Sequence, residues 1–516
     1  MGSDVLSPQT PLIERFRAVV EAHPDTPAVT DSTRQVSYRE LLDEVSRVAG
    51  YLHDHGLRKG DRVVLLLANS VNYAAVFYGV WAAGGVTVAL NTQSKARNIL
   101  NWVKHSGSRW LFVDARHPER AAVAAQLDAD TRIVALNDQA VSDDEAASRW
   151  QTLCNGATDL PNVTVDPEDL ASIIYTSGTT GHPKGVTLSH ANLSANVSSI
   201  QQYLSLTSQD SILNVLPFYY SYGNSVLHTH LAVGGSLILE NNLVYPHRIV
   251  ERMANERVSG FSGVPSTFAL LLGRVNLEEY DLSGLRYLTQ AGGAMAPALT
   301  DKLVAALPDT RIFIMYGQTE ASARLAYLPP EKLIEKRGSI GIAIPDTVIE
   351  VRNAQGQVAQ VGETGEICAS GHNIMQGYWG DPEKTREVLK DGWLHTGDLA
   401  HTDADGYLYI DGRSSEMIKS GANRISPKEI EEVIQELEGV MEVAVIGISD
   451  EMLGEIIRAY VVPKPGGDLD RMAIQRHCKD NLAIYKIPKE ITFIDELPKT
   501  ASGKIQRFVL QEAAAK

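Results

Sequence analysis

Val63-Val-Leu-Leu-Leu-Ala-Asn-Ser-Val-Asn-Tyr-Ala-Ala-Val-Phe-Tyr-Gly-Val-Trp-Ala-Ala-Gly-Gly-Val-Thr-Val-Ala-Leu90 carries no charge, and the gap extends to Ser94. Its length is that of a membrane span. Asn69, Ser70 and Asn72 interrupt it early, and Gly84-Gly85 interrupt it late. It divides better into a buried strand (63–67), a buried helix (73–83) and a second buried strand (86–90). Parallel sheets covered on both faces produce such unbroken apolar runs. The same alternation of strand-like and helical segments continues outward, through RVVLLL, SLILE, FSGV and RIFIMY, over roughly the first four hundred residues. It predicts an α/β architecture with parallel-rich sheets in several layers and no membrane span.

The ends of these elements are also written locally. Ser37-Tyr-Arg-Glu40 is a capping box, and Leu41, Val45, Val48 and Leu52 share one helical face up to Gly56. Past Tyr407-Leu-Tyr-Ile410 the pattern changes. Asp403-Ala-Asp-Gly406 reads as a hairpin turn, and Asp411–Ser415 as a short polar connector. Ser426-Pro-Lys-Glu429 reads as a second capping box, followed by strands and one more helix. This predicts a large N-terminal domain over 1–412 and a small α+β domain over 413–516.

Composition narrows the function. The chain has 516 residues, 47 Lys plus Arg against 63 Asp plus Glu, and a net charge of −16. Affinity for long nucleic acids comes largely from neutralising phosphates, so none is expected as a partner. A small anion such as ATP is not excluded, because backbone amides and a few cations can hold it. Cys154, Cys368 and Cys478 are too far apart in sequence for a zinc pattern or a disulfide framework. That, with no signal-peptide pattern in MGSDVLSPQTPLIERF, points to the cytoplasm. His228 and His230 stand two apart on a predicted helix and face different sides, which argues against a shared metal.

Tyr175-Thr-Ser-Gly-Thr-Thr-Gly-His-Pro-Lys184-Gly-Val186 carries the chemistry. It follows an apolar run and so leaves a strand end. Its glycines let the backbone approach a ligand, Thr176, Ser177, Thr179 and Thr180 offer hydroxyl donors, and Lys184 adds charge. The spacing is not that of a Walker loop. In Tyr316-Gly-Gln-Thr-Glu320 the ring can stack on a base, Thr319 can bond a phosphate, and Glu320 is a hard oxygen ligand suited to Mg²⁺. Asp398, in His395-Thr-Gly-Asp398, can accept from ribose hydroxyls.

With Gly412-Arg413, the segment Gly421 to Glu431, and Leu497-Pro-Lys-Thr-Ala-Ser-Gly-Lys504-Ile-Gln-Arg507, these segments stand in the order found in the adenylate-forming superfamily, which the chain resembles over almost its whole length. The resemblance implies a carboxylic acid activated by ATP as its acyl-adenylate, with pyrophosphate released. The acyl group then passes to the thiol of coenzyme A or of a carrier protein's phosphopantetheine arm. An amine acceptor, giving an amide, is the alternative; a non-catalytic nucleotide sensor fits poorly with both Glu320 and Lys504 present.

It further implies an ATP site of Thr176, Ser177, Gly178, Thr179, Thr180, Gly181, Lys184, Tyr316, Gly317, Gln318, Thr319, Asp398 and Arg413. Lys504, Thr180 and Glu320 are the implied catalytic residues, with Glu320 on the metal, and the small domain is implied to be a mobile lid. The chain departs from the family in three places: Ser415 at the hinge, where Asp or Lys is usual, Glu416 where Asp is common, and Tyr220 where many acyl-CoA synthetases carry His. Candidate acid-pocket residues are Tyr219, Tyr220, Asn224, His228, Gly263, Gly292 and Gly293. Relatives that activate amino acids hold the amine with an Asp between the positions of Phe218 and Thr229, whereas here no carboxylate occurs and Ser221 stands near that place. A fatty or other non-amino acid is therefore expected, an aryl acid second. Sequence leaves the oligomeric state open.

Overall fold

The computed structural model describes residues 7–136, 153, 159–176, 184–413, 416–420, 423–450, 454–465, 469–500 and 504–514. The charge-free stretch folds as a βαβ unit. Strands Arg62–Leu66 and Val86–Ala89 pair in parallel, and helix Val71–Ala82 between them is buried at every position but Asn72. Helix Tyr38–Asp54 covers it. Gly79 makes that approach possible, since a Cβ there would lie 2.6 Å from Val48. Among the described residues, no helix is long and apolar enough to cross a membrane.

These two strands belong to a seven-stranded sheet with Leu170–Thr176, Trp110–Asp114 and Arg132–Leu136 in parallel, and Lys184–Ser189 and Gly377–Tyr378 antiparallel at one edge. A nine-stranded sheet holds a second parallel core that includes Ser211–Asn214, Gly260–Gly263, Tyr287–Gln290 and Arg311–Tyr316. The α/β expectation holds for both. It stops short of residues 347–413, where an antiparallel sheet takes over, built on Thr347–Arg352, Gly365–Gly371, Trp393–Thr402 and Leu408–Arg413. The turn expected at Asp403–Gly406 does join two of its strands.

The smaller C-terminal domain has its own sheet, its own apolar core around Ile430, Val445 and Ile474, and the helices Pro427–Gln435, Arg471–Asn481 and Arg507–Ala514. Two local expectations need correction. The strand ending in Arg413 runs through Asp411 and Gly412, so the connector starts later than the composition suggests. The capping box at Ser37 closes as expected, but the one at Ser426 does not form. Its Glu429 binds Lys486 at 2.6 Å instead, and the Ser426 hydroxyl is buried with no hydrogen-bond partner among the described residues.

Candidate active site

Parallel strands of open α/β sheets present ligands at their carboxyl ends. Gly263, Gln290 and Tyr316 end three neighbouring strands of the nine-stranded sheet, which places Gly292, Gly293 and Gly317–Glu320 on one rim. Thr176 and Lys184 face each other across the hairpin of the other sheet. Ser177, Gly178, Thr179, Thr180 and Gly181 lie outside the described residues, as does Ser415.

The antiparallel sheet brings Asp398 and Arg413 opposite one another. Asp398 is buried. Its Oδ2 accepts from the Tyr316 hydroxyl at 2.6 Å, and its Oδ1 pairs with Arg413 Nε at 2.8 Å. Each carboxylate oxygen keeps a further lone pair for a ligand hydroxyl. The facing carboxylate of Asp398 raises the Arg413 pKa, and burial raises that of the Tyr316 phenol, so Arg413 stays charged and Tyr316 neutral. Glu366 steadies this strand: its Oε2 pairs with His395 Nδ1 at 2.8 Å, and its Oε1 accepts from Gly397 N at 3.0 Å. Cys368 lies within reach of the same ring nitrogen, 3.5 Å away.

Glu320 Oε1 accepts from the Tyr378 hydroxyl at 2.8 Å, and Oε2 carries no hydrogen bond among the described residues. Thr319 Oγ1 lies 3.2 Å from Ser221 Oγ, at the start of helix Ser221–Leu231. Lys504 comes from the other domain. It sits on a tight turn closed by the Lys499–Ile505 bridge and by Thr500 N donating to Lys504 O at 2.8 Å. The side chain keeps contact with solvent, yet the surrounding protein removes enough water to lower its pKa. Arg413 lowers it further, while Glu320 and Asp398 oppose the fall. Residues from both domains thus converge on one charged cleft. Arg507 fixes the lysine turn from behind, pairing with Glu431 at 2.7 Å and Glu416 at 3.3 Å.

The acid-pocket candidates separate. Tyr219 and Tyr220 pack ring against ring, 4.6 Å between centroids, and the Tyr220 hydroxyl accepts from Asn91 at 3.5 Å. Asn224 is buried in the first turns of the same helix. Gly292 adopts φ +85°, and the Gly293 carbonyl accepts from Gln290 at 2.8 Å. His228 points instead into an aromatic cluster of Phe77, Tyr78 and Trp81, where burial lowers its pKa to about 3. His230 bonds Tyr287 at 2.6 Å, so the two histidines do face different partners. Sequence reasoning missed Tyr378, on the edge strand of the seven-stranded sheet, whose hydroxyl donates to Glu320, and Arg324, five residues beyond Thr319.

Comparison with known proteins agrees with this geometry. The AMP-binding enzyme family matches residues 16–379, and the AMP-binding enzyme C-terminal domain matches residues 429–504. A feruloyl-CoA synthase from an Amycolatopsis species is 34% identical over 484 residues, covering 93% of this chain and 94% of that protein. An anthranilate CoA ligase solved with anthranoyl-AMP superposes with a TM-score of 0.91 at 26% identity, over 100% of this chain and 99% of that one. The o-succinylbenzoate CoA synthetase of Bacillus subtilis, solved with its acyl-adenylate, superposes with a TM-score of 0.85 at 27% identity, over 97% and 98%. With both domains matched and their charged groups meeting in one cleft, the chain belongs to the adenylate-forming superfamily, as an AMP-forming acid–CoA ligase of the acyl-CoA synthetase kind.

Proposed function

We propose that this ligase runs adenylation at the cleft of Glu320, Asp398, Arg413 and Lys504, on an acid that lacks a free α-amino group. The observation that carries the proposal is Asp398 bonded to both Tyr316 and Arg413, with Glu320 and Lys504 near enough to act on one another's charge. In the first step a carboxylate oxygen of the acid forms a bond to the α-phosphorus of ATP, and the bond to pyrophosphate breaks. Negative charge grows at the α-phosphoryl oxygens as one anion attacks another. The ammonium of Lys504 stabilises that charge as it forms.

Thr176, Lys184 and the loop between them hold the phosphates, with Thr180 at the transferring group. Tyr316, Gly317 and Gln318 border the base, Thr319 the α-phosphate, and Asp398 with Arg413 the ribose. Glu320 suits a magnesium ion arriving with ATP, being a hard oxygen donor with one oxygen free of protein hydrogen bonds among the described residues. Held there, such an ion would neutralise charge on the phosphates.

In the second step the thiolate of coenzyme A attacks the acyl carbon and AMP leaves. A carrier-protein pantetheine would present the same thiol. Lys504 must withdraw before a thiol enters, so residues 413–516 act as a lid over 1–412 and turn near Ser415. Cytoplasmic placement accords with the free thiols of Cys368 and Cys478.

Exclusion of amino acids rests on helix Ser221–Leu231 and the residues before it: from Phe218 to Thr229 no carboxylate is available to pair with an ammonium. ATP–pyrophosphate exchange across fatty, aryl and proteinogenic amino acids tests this. The amino acids should all fall well below the best simple acid, and strong exchange with any one of them overturns the exclusion.

A further inference from the structure

Among the described residues, one group of His, Cys and acidic side chains brings its donor atoms within 4.8 Å of one another: Glu366, Cys368 and His395. The antiparallel sheet assembles it. Glu366 and Cys368 stand two apart on strand Gly365–Gly371 and so share a face. His395, on strand Trp393–Thr402, is paired directly with Cys368. The wide cysteine spacing along the chain excludes a cysteine-rich zinc pattern, but this set needs a single cysteine and takes its other donors from the fold.

The three donors compete for one hydrogen. His395 Nδ1 lies 2.8 Å from Glu366 Oε2 and 3.5 Å from Cys368 Sγ. A carboxylate only accepts, so the hydrogen sits on Nδ1 and points at Glu366. That nitrogen then has no lone pair left for the thiol. The sulfur belongs to a residue with 0% exposure and has no other hydrogen-bond partner among the described residues. A cation in place of that hydrogen would serve all three donors. With metal bonds of about 2.0–2.3 Å, tetrahedral zinc holds sulfur and nitrogen about 3.5 Å apart, and nitrogen and oxygen about 3.4 Å apart. Sγ and Nδ1 already stand at that spacing, and Nδ1 and Oε2 would open by about 0.6 Å. The His395 and Glu366 side chains are 21% and 33% exposed, which gives an ion a way in from solvent.

We propose that Glu366, Cys368 and His395 bind Zn²⁺, with water in the fourth position, and that its binding weakens the hold on the nucleotide. Thiol and imidazole donors select zinc over magnesium, which takes oxygen, so the site is distinct from the one at Glu320. The thiol proton leaves to water as the ion enters, and the imidazole keeps its hydrogen on Nε2. Glu350, opposite Cys368 on the next strand, is engaged by Arg352 at 2.8 Å and stays out of the set.

The effect on the nucleotide rests on the placement of Asp398 at the ribose, and runs through the strand. Between the pairs Glu366–Leu399 and Cys368–His395, the single residue Ile367 faces three: Thr396, Gly397 and Asp398. This bulge, with Gly397 at φ +75°, carries Asp398 to Tyr316 and Arg413. Glu366 Oε1 holds the bulge at Gly397 N, 3.0 Å away, and His395 begins it. Opening the Glu366–His395 contact around an ion pulls on the segment whose Asp398 is fixed by bonds of 2.6 and 2.8 Å.

The test uses the full chain, reduced and stripped of metal, titrated with Co²⁺ as a spectroscopic stand-in and then with Zn²⁺ in competition. One equivalent of Co²⁺ should give a thiolate-to-cobalt charge-transfer band, which Zn²⁺ abolishes. Cys368→Ser should remove the band, and Cys478→Ser should keep it. Glu366→Gln, which retains an acceptor for Gly397 N, should weaken Co²⁺ binding by about 10²-fold or more, since even an outer-shell partner is worth about 10–100-fold. Melting curves of the metal-free variants verify folding. Calorimetry with AMP, which spares the zinc-chelating triphosphate, should show affinity falling about fivefold or more once Zn²⁺ is bound, in wild type and not in Cys368→Ser. No band, or a band that survives Cys368→Ser, overturns the site. A band with unchanged AMP affinity overturns the coupling. AMP that fails to bind metal-free wild type counts against the ribose placement instead, and the cobalt band still decides the site.

Discussion

Ser37 and Ser426 stand in the same local sequence, Ser-x-x-Glu at the head of an amphipathic helix, and end differently. In the large domain Glu40 folds back on its own cap, with Ser37 N donating to Glu40 Oε2 at 2.7 Å. In the small domain Glu429 is drawn to Lys486, far along the chain, and the cap stays open. The contrast extends beyond the caps. In the large domain Trp81, Phe77 and Tyr78 pack ring against ring in the core. In the small domain Arg507, Glu431, Glu416, Lys499 and Glu442 form ion pairs across its elements and behind the lysine turn. One domain supplies the rim of strand ends, and the other carries Lys504 near it.

Removing that cation should have the largest effect. Lys504→Ala is expected to lower adenylation by about 10²–10³-fold, the usual cost of losing one preorganised electrostatic contact, and to spare thioester formation from a supplied acyl-adenylate. Equal loss of both half-reactions would break the division between the domains. A pH profile sharpens it. Burial and Arg413 lower the Lys504 pKa, so the ammonium is lost at a lower pH than that of an ordinary lysine. Adenylation should therefore begin to fall below the usual lysine range, about 10.4, and Lys504→Arg should move that alkaline limb upward.

Next comes the joint between the domains. Ser415→Pro fixes φ and removes a donor, and is expected to slow one half-reaction by roughly tenfold or more while sparing the other. Separate half-reaction rates, with a melting curve, show which pose is trapped. Wild-type rates in both would move the pivot away from Ser415.

Arg507→Met should cost less, roughly tenfold in adenylation, because it loosens the turn that carries Lys504 without touching ATP. Its signature is a lower kcat at an unchanged ATP affinity. A raised KM for ATP with normal kcat would mean that Arg507 serves the nucleotide instead of the turn.

What the sequence made legible follows the same contrast. The βαβ unit at 62–89 was readable because burial on both faces leaves its mark residue by residue. The candidate nucleotide residues could be picked out because Gly, Thr and Lys in a short loop, and Glu and Asp near strand ends, each suit that chemistry. The antiparallel sheet was not, since pairs such as Asp398 with Arg413 and Glu366 with His395 depend on register between distant segments. Arg324 was not, because its direction depends on positive φ at Ser322 and Ala323, residue types that do not announce it. His228 was readable as a candidate from its place on the helix, but the facing aromatic residues that enclose it come from a different helix.

The smallest expected effect returns to the two serines. Ser37→Ala removes an accepting cap and should destabilise the large domain by about 1 kcal/mol. Ser426→Ala removes a buried hydroxyl that has no hydrogen-bond partner among the described residues, so a desolvated polar atom disappears; stability should stay level or rise slightly. A chain of two domains need not unfold in one step, so each variant is read at its own domain's urea transition, with hydrogen exchange at the Glu40 and Glu429 amides reporting the two helix heads. The Glu40 amide should lose protection in Ser37→Ala, because that amide donates to the Ser37 hydroxyl. The Glu429 amide should not change in Ser426→Ala. Equal destabilisation by both substitutions would mean that the second cap closes in solution, that Glu429 leaves Lys486 to form it, and that local sequence governs the small domain as firmly as it does the large one.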